Sequence, residues 1–323
     1  MHRTLARGLA ALSLAAGLTG VAHAWPDKPI DFIVPSAAGG SPDILSRLVT
    51  NQLAQDLGAS VVVENRPGAA GNIGIALIKR AAPDGYTVGY GNINTLAVNR
   101  TLFKTLPYDV DADLEPVAHL FNLYNVLIVP AGSPDQSVQG LIERARAHPG
   151  RLSYGASGVG TTGHMGGELF KSMAKIDVAF IPYNGGPAAI QDLLGGRLDF
   201  IFVNSSEAVP LIQSGRVRAL GVSSMQRLDL LPDVPTLDEL GLKGYETIAW
   251  GGVVAPKGTP PDTIRQLNAA IGKALQAPAV RQGLAKLGAV PGQGSAADFQ
   301  RLIASETAKW RQIIDTAGIK KLD

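Results

Sequence analysis

Two glycine-rich loops contain the residues of this chain that are best suited to binding chemistry. One loop runs from Pro35 to Asp43 and the other from Gly155 to His164, and each lies between a short β-rich run and an apolar-periodic helix. Glycine lets backbone N–H groups turn toward a guest because no Cβ blocks the approach. A helix N-terminus adds unpaired N–H donors and a partial positive charge. Each loop therefore suits an anion, although an ordinary tight turn is the alternative.

The matched placement of the two loops favours a shared site over two unrelated turns. In open α/β sheets ligands bind beyond the carboxyl ends of the strands, so two such loops can face each other across a cleft. This arrangement predicts a small ligand with two or more carboxylates. Polar residues after other strands would form a specificity shell, unless they merely satisfy their own turns. The candidate ligand-binding residues are Ser36, Gly39, Gly40, Ser41, Asp43, Asn92, Asn94, Ser157, Gly160, Thr161, Thr162, His164, Tyr183 and Asn204.

Cofactor and metal sites are weaker interpretations of the same residues. Gly158 to Gly163 fits the dinucleotide-binding glycine pattern, which requires an acidic residue after the next strand. That strand is followed instead by Pro182-Tyr-Asn184. His164 and Glu168 share a helix face, but two ligands make a poor metal site. We therefore expect neither a cofactor nor a metal.

Catalysis is the rival class of function. Ser157, Asp43 and His164 could be arranged as a triad, but the sequence around Ser157 has Val159 where a hydrolase elbow needs glycine. Asp43 fits better as a helix cap or as an acceptor for an amine or hydroxyl of the ligand. We predict a binding protein and no enzyme, with a periplasmic hydrolase centred on Ser157 and Asp43 as the alternative.

Residues 1–24 have the features of a cleaved signal peptide: basic Arg3 and Arg7, an apolar run from Leu9 to Val21, and Ala22-His-Ala24 before the cut. The sequence has no cysteine, so a lipid anchor and disulfides are excluded. Arg3 and Arg7 account for the excess of 29 basic over 27 acidic residues. A balanced remainder argues against nucleic-acid or membrane-surface binding. We expect a protein of the periplasm.

Strands alternate with helices in two successive series, which predicts the α/β class with two domains, each a mostly parallel sheet flanked by helices. The chain crosses between the series near 122–125 and 246–250. The expected domains are 25–124 plus 249–323 and 125–248, with a hinge about the cleft. The C-terminal helices should pack on the first domain, and Asp262 should cap the first of them.

Ordered matches over nearly the whole chain resemble the substrate-binding receptors of tripartite tricarboxylate transporters, the Bug family. The matching stretches are Trp25-Pro-Asp-Lys-Pro-Ile30, Val62-Val-Glu-Asn-Arg-Pro-Gly68, Gly71-Asn-Ile-Gly74, Ala82-Pro-Asp-Gly-Tyr86, Leu106-Pro-Tyr-Asp109, Gly167-Glu-Leu-Phe-Lys171, Asp192-Leu-Leu-Gly-Gly196 and Leu231-Pro-Asp-Val-Pro-Thr236.

The resemblance implies a two-domain periplasmic-binding-protein (flytrap) fold. It also implies that loops matching Pro35–Asp43 and Ser157–His164 hold carboxylates through backbone amides and waters. A membrane permease of a large and a small subunit is the implied partner, and we expect a monomer. Where the family often has Pro-Phe-Pro-Pro-Gly-Gly, this chain has Pro35-Ser-Ala-Ala-Gly-Gly40. The smaller loop leaves open which di-/tricarboxylate or related organic acid is bound for delivery or sensing.

Overall fold

The structure is a computed structural model that describes residues 25–316, 319, 321 and 322. The predicted signal peptide, residues 1–24, lies outside the described residues. The strands are β1 Ile30–Val34, β2 Val61–Asn65, β3 Thr87–Asn92, β4 Leu114–Pro130, β5 Ser153–Ala156, β6 Ala179–Pro182, β7 Phe200–Asn204, β8 Val217–Val222, β9 Ile248–Pro256 and β10 Val290–Pro291. The helices are α1 Ser41–Leu57, α2 Asn72–Arg80, α3 Asn99–Leu102, α4 Val110–Asp113, α5 Val138–Ala147, α6 Thr162–Ala174, α7 Gly186–Leu194, α8 Ser205–Gln213, α9 Pro261–Gln276, α10 Pro278–Lys286 and α11 Ala296–Thr316. A 3₁₀ turn at Ala69–Gly71 and a π-helical turn at Asn94–Val98 complete the pattern.

Two groups of parallel strands form the centre of the fold. In the first strand group, β1 lies between β2 and β3 and pairs with both in parallel. In the second strand group, β5 lies between β6 and β7, again in parallel. These groups confirm the predicted α/β class with helix-flanked sheets.

Two long antiparallel strands join the two groups. β4 and β9 pair from Leu114 opposite Pro256 to Tyr124 opposite Ile248. β9 also pairs with β3, and β4 pairs with β7, so the linkage runs through the sheet itself. The carboxyl ends of both strand groups are thereby fixed relative to this pair of strands.

β4 is longer than the sequence predicted. The apolar run in the sequence predicts a strand only over Asn125–Val129, whereas the observed strand has 17 residues and begins at Leu114. Its early part contains Pro116, which has no N–H to donate, and the register with β9 shifts between Pro116 and Ala118. The first part of the strand could not be predicted from the sequence, because its apolar residues do not alternate regularly.

The apolar cores follow the order of the chain. Phe32 and Phe121 pack with Leu267 of α9, and Trp250 packs in a second cluster with Trp310 of α11. Residues between 126 and 245 form two further clusters. The C-terminal helices therefore pack against the first strand group, as predicted. None of the helices in the described part of the chain is both long and apolar enough to cross a bilayer.

The predicted cap at Asp262 is wrong. Pro260 is the N-cap of α9 and Pro261 is its first residue, so Asp262 lies inside the first turn, where it pairs with Arg265. Proline suits this start because the first helical N–H has no intrahelical partner in any case. Helix α6 begins at Thr162, whereas the apolar period in the sequence predicts a start at Met165.

Candidate functional site

A cavity of about 750 Å³ lies at the carboxyl ends of the strand groups. The N-cap residues of five helices line it, and these helices are α1, α2, α6, α7 and α8. The caps are Gly40, Gly71, Thr161, Gly185 and Asn204. Each of these helix starts brings unpaired N–H groups and the positive end of a helix dipole. The sequence predicted two such starts, and their convergence makes the cavity a candidate site for an anion.

Asp43 holds the first loop in shape. Its carboxylate accepts hydrogen bonds from the Gly39 N–H at 2.9 Å and from Arg47 Nε at 2.8 Å. Burial alone would raise the pKa of Asp43, but the bonds from Gly39, Asn65 and Arg47 bring it below its ordinary value. The carboxylate is thus ionised and satisfied by the protein, and Gly39 keeps a left-handed φ of 79°.

His164 has the matching role in the second loop. Its Nδ1 accepts a hydrogen bond from the Gly160 N–H at 3.1 Å, and its ring stacks on Phe180 at 4.0 Å between centroids. Burial lowers the pKa of His164 to about 4, so the ring is neutral near pH 7. Thr161 caps α6 by accepting from the His164 N–H at 3.4 Å. The loop therefore offers no cation to a ligand.

The cavity brings together ten of the fourteen predicted residues. These are Ser36, Gly40, Ser41, Asn92, Asn94, Ser157, Thr161, Thr162, Tyr183 and Asn204. The other four, Gly39, Asp43, Gly160 and His164, do not line the cavity. Their bonds to neighbouring loop atoms show why: each fixes the conformation of a loop, and none of the four is among the lining residues.

Direct bonds cross the cavity between the strand groups. Ser41 Oγ at the start of α1 accepts from Asn204 Nδ2 at 3.2 Å and from Ser206 Oγ at 2.6 Å. Asn204 Oδ1 in turn accepts from Asn125 Nδ2 at 3.1 Å. The Asn92 side chain accepts from the Thr95 N–H at 3.2 Å. These asparagines line the cavity and also bond to neighbouring protein atoms. Their positions therefore fit both a ligand-specificity role and a role in satisfying local turns.

Sequence reasoning did not place the loop at 67–71 in the site. Pro67 to Gly71 line the cavity, and Ala69 and Ala70 adopt φ values of 45° and 54°. A non-glycine residue with positive φ is costly, and the surrounding structure must hold it. Asn99 Nδ2 does so by donating to Ala70 O at 3.3 Å and to Asn72 Oδ1 at 2.7 Å. The loop could have been predicted from its two glycines, Gly68 and Gly71, which follow β2.

Aromatic and aliphatic side chains supply the rest of the wall. Trp250 lines the cavity and is anchored by its Nε1, which donates to Glu306 Oε2 at 3.2 Å. Tyr183 also lines it, with its hydroxyl donating to Asp192 at 2.7 Å. Further apolar lining residues include Tyr90, Ile93, Phe103, Leu123, Val159, Ala249 and Leu322. The cavity thus combines polar donors at the helix N-termini with an apolar wall. This combination suits an organic acid with a carbon skeleton.

Two buried polar atoms of the lining lack partners. Within the described part of the chain, Ser36 Oγ and Glu207 Oε1 have no hydrogen-bond partner. Burial raises the pKa of Glu207 to about 7, and the Ser41 hydroxyl lowers it in part. Among the described lining residues there is no lysine, arginine or histidine. An anion in this cavity would thus be held by neutral donors.

The described residues do not assemble the alternative sites. No cluster of three or more potential metal ligands occurs among them. Ser157 lines the cavity, but His164 Nδ1 is occupied by Gly160 and the carboxylate of Asp43 by Arg47. A hydrolase triad would need these groups to face Ser157.

Comparison with known proteins agrees with this picture. Residues 45–319 match the family model described as tripartite tricarboxylate transporter family receptor. Protein BugT of Bordetella pertussis is 34% identical over 322 residues, which cover 98% of this chain and 99% of BugT.

Two solved structures have the same fold. A protein of R. palustris with adipate is 37% identical, with a TM-score of 0.90 over 92% of this chain and all of that one. MatC from Rhodopseudomonas palustris with bound malate is 31% identical, with a TM-score of 0.85 over 90% of this chain and all of that one. These matches are solute receptors and not enzymes, so the predicted class of function is confirmed.

Proposed function

Since this chain belongs to the tripartite tricarboxylate transporter family of receptors, we propose that it is a periplasmic solute-binding protein for a small carboxylate. The ligand would occupy the cavity between the two strand groups. The protein, secreted by its signal peptide and monomeric, would then deliver the acid to a membrane permease of a large and a small subunit or present it to a sensory partner.

The observation that carries this proposal is the convergence of five helix N-termini on one cavity. Unpaired N–H groups bind an oxyanion through hydrogen bonds from neutral donors, so the site does not need a cationic side chain. Ser36 Oγ, buried without a partner among the described residues, is a further neutral donor. The adipate and malate of the two related structures support a small organic acid as the class of ligand.

Thermal unfolding with a panel of di-, tri-, amino- and hydroxycarboxylates tests the proposal. A true ligand at one hundred times its dissociation constant should add about 2.7 kcal/mol to the free energy of unfolding. The acid should be recovered unchanged after prolonged incubation with the protein. If no acid of the panel raises the melting temperature, the protein is not a carboxylate receptor.

We also propose that the predicted domains, 25–124 plus 249–323 and 125–248, close on the ligand by bending at β4 and β9. A Cβ on Gly160 would lie 3.0 Å from Asn99 Oδ1 and 3.2 Å from Leu102 Cδ2. Under this proposal Asn99 and Leu102 belong to the other domain. Gly160 thus allows the second loop to approach α3 closely.

Replacing Gly160 with valine should weaken ligand binding at least tenfold, because the added side chain opposes this approach. The φ of 77° at Gly160 also costs a non-glycine residue about 1–2 kcal/mol. Gly196→Val is the matched control, since Gly196 has a φ of 71° and open space around its Cβ position. Calorimetric titration of both variants measures the difference. Equal affinities would mean that this approach does not occur during binding.

A further inference from the structure

Glu207 has a place in the cavity that carboxylate capture does not require. It lies in the first turn of α8, and its Oε1 is buried without a hydrogen-bond partner among the described residues. A Cβ on Gly186 would come within 2.1 Å of that oxygen, so the carboxylate packs directly against the start of α7. The absence of a side chain at position 186 leaves room for it.

The chemistry of this group is opposite to that of the helix starts. An ionised carboxylate only accepts hydrogen bonds, whereas backbone N–H groups only donate them. Among the described lining residues no cationic side chain neutralises Glu207. The Ser41 hydroxyl favours the charged form of the carboxylate in part, but Oε1 has no partner among the described residues. A buried charged oxygen without a partner is costly, so the partner of Oε1 must come from the ligand or from water.

We propose that Glu207 selects the ligand: it accepts a hydrogen bond from an amine or hydroxyl group of a carboxylic acid whose carboxylate is held by the helix N-termini. The inference rests on the proposed function and specifies its substrate class. The preferred ligands are amino and hydroxy acids, and a plain dicarboxylate is disfavoured because its second carboxylate would face Glu207.

The ionisable groups around Glu207 support its role as a hydrogen-bond acceptor. The other ionisable groups among the described lining residues are Tyr90 and Tyr183. Burial raises the pKa of Tyr90 above its ordinary value and that of Tyr183 to about 12, so both stay neutral. No charged side chain contributes to the raised pKa of Glu207, which burial sets at about 7. At pH 8 the group is largely ionised and able to accept.

Matched pairs of acids test the inference by calorimetric titration at pH 8. The pairs are glutarate with 4-aminobutyrate, adipate with 5-aminopentanoate, and glutarate with 4-hydroxybutyrate, in which a donor replaces one carboxylate. The wild-type protein should bind at least one donor acid about tenfold or more tightly than its dicarboxylate partner, in line with a charge-assisted hydrogen bond.

The variant Glu207→Gln keeps the shape, removes the charge and adds a donor. We expect it to reduce the preference for the donor acid at least tenfold. The matched control is Glu143→Gln, which removes the same charge from the exposed face of α5 and should leave the preference unchanged. Donor-acid binding by the wild type should also weaken as the pH falls from 8 to 6, because protonated Glu207 accepts less well.

Two results would overturn the inference while leaving the proposed function intact. One is tighter binding of the dicarboxylates with no change of preference in Glu207→Gln. The other is dicarboxylate binding that strengthens as the pH falls, which would make protonated Glu207 a donor to a second carboxylate. If no acid of any class binds, the proposed function fails and the inference fails with it.

Discussion

Replacing Arg144 with leucine should destabilise the protein by about 3–5 kcal/mol, because it leaves a buried carboxylate without its partner. Arg144 of α5 donates to Asp135 through Nε at 3.0 Å and Nη2 at 2.6 Å, and through Nη1 to Asp199 at 2.9 Å. Asp135 is 3% exposed. Asp199 in turn accepts from the Ser153 N–H at 2.8 Å, where β5 begins. Urea unfolding at pH 7 measures the loss.

The Arg144 pair has two internal controls. Arg265→Leu removes an exposed ion pair and should cost about 1 kcal/mol or less. The double change of Arg144 and Asp135 to leucine should recover part of the loss, since replacing both buried charges with apolar groups is often nearly neutral. A single-variant loss below 1 kcal/mol would show that Asp135 is stabilised by other groups.

In contrast to Arg144→Leu, the variant Glu207→Gln should stabilise the ligand-free protein at alkaline pH. Folding raises the pKa of Glu207 from 4.5 to about 7, so the folded state binds more protons than the unfolded state between these values. Stability from this group is therefore full below pH 4.5 and is lost as the pH rises through 7. The difference corresponds to about 3 kcal/mol at pH 8. Glutamine does not titrate and avoids this loss.

Urea unfolding of wild type and Glu207→Gln at pH 4 and pH 8 isolates this effect. The variant should be more stable than wild type by about 2–3 kcal/mol at pH 8 and nearly equal at pH 4. Glu143→Gln again serves as the surface control. A wild type that is as stable as the variant at pH 8 would mean that the carboxylate is solvated or paired in solution. The expected gain would identify Glu207 as a residue kept at a cost in stability, as is common at binding sites.

Local patterns predicted most of the individual elements. The apolar run Phe200–Val203 and the region Val217–Val222 correspond to β7 and β8 within one residue. The period of the apolar residues and the helix caps do not reveal that β4 and β9 join the two strand groups. The part of β4 before Asn125 was missed because Pro116 and the irregular spacing of apolar residues around it break the strand pattern in the sequence.

The loops of the site could be predicted from glycine and helix starts, but the direction of each side chain could not. Asp43 and His164 were placed in the site because they adjoin the loops, and their partners turn out to be loop atoms and Arg47. Glu207 was missed because a glutamate in a helix is ordinarily solvent-exposed. Its position one turn after β7 was the signal available, and only the three-dimensional structure brings it beside Gly186.

The absence of cationic side chains from the described cavity lining has a consequence for how ligand binding depends on ionic strength. Ions in solution weaken attraction between separated charges, and they act least on short contacts to buried amide groups. A pocket that holds its anion by helix N-termini should therefore keep much of its affinity when the ionic strength rises. Because no cationic side chain of the described lining attracts an anion over a distance, the association rate should also change little with ionic strength.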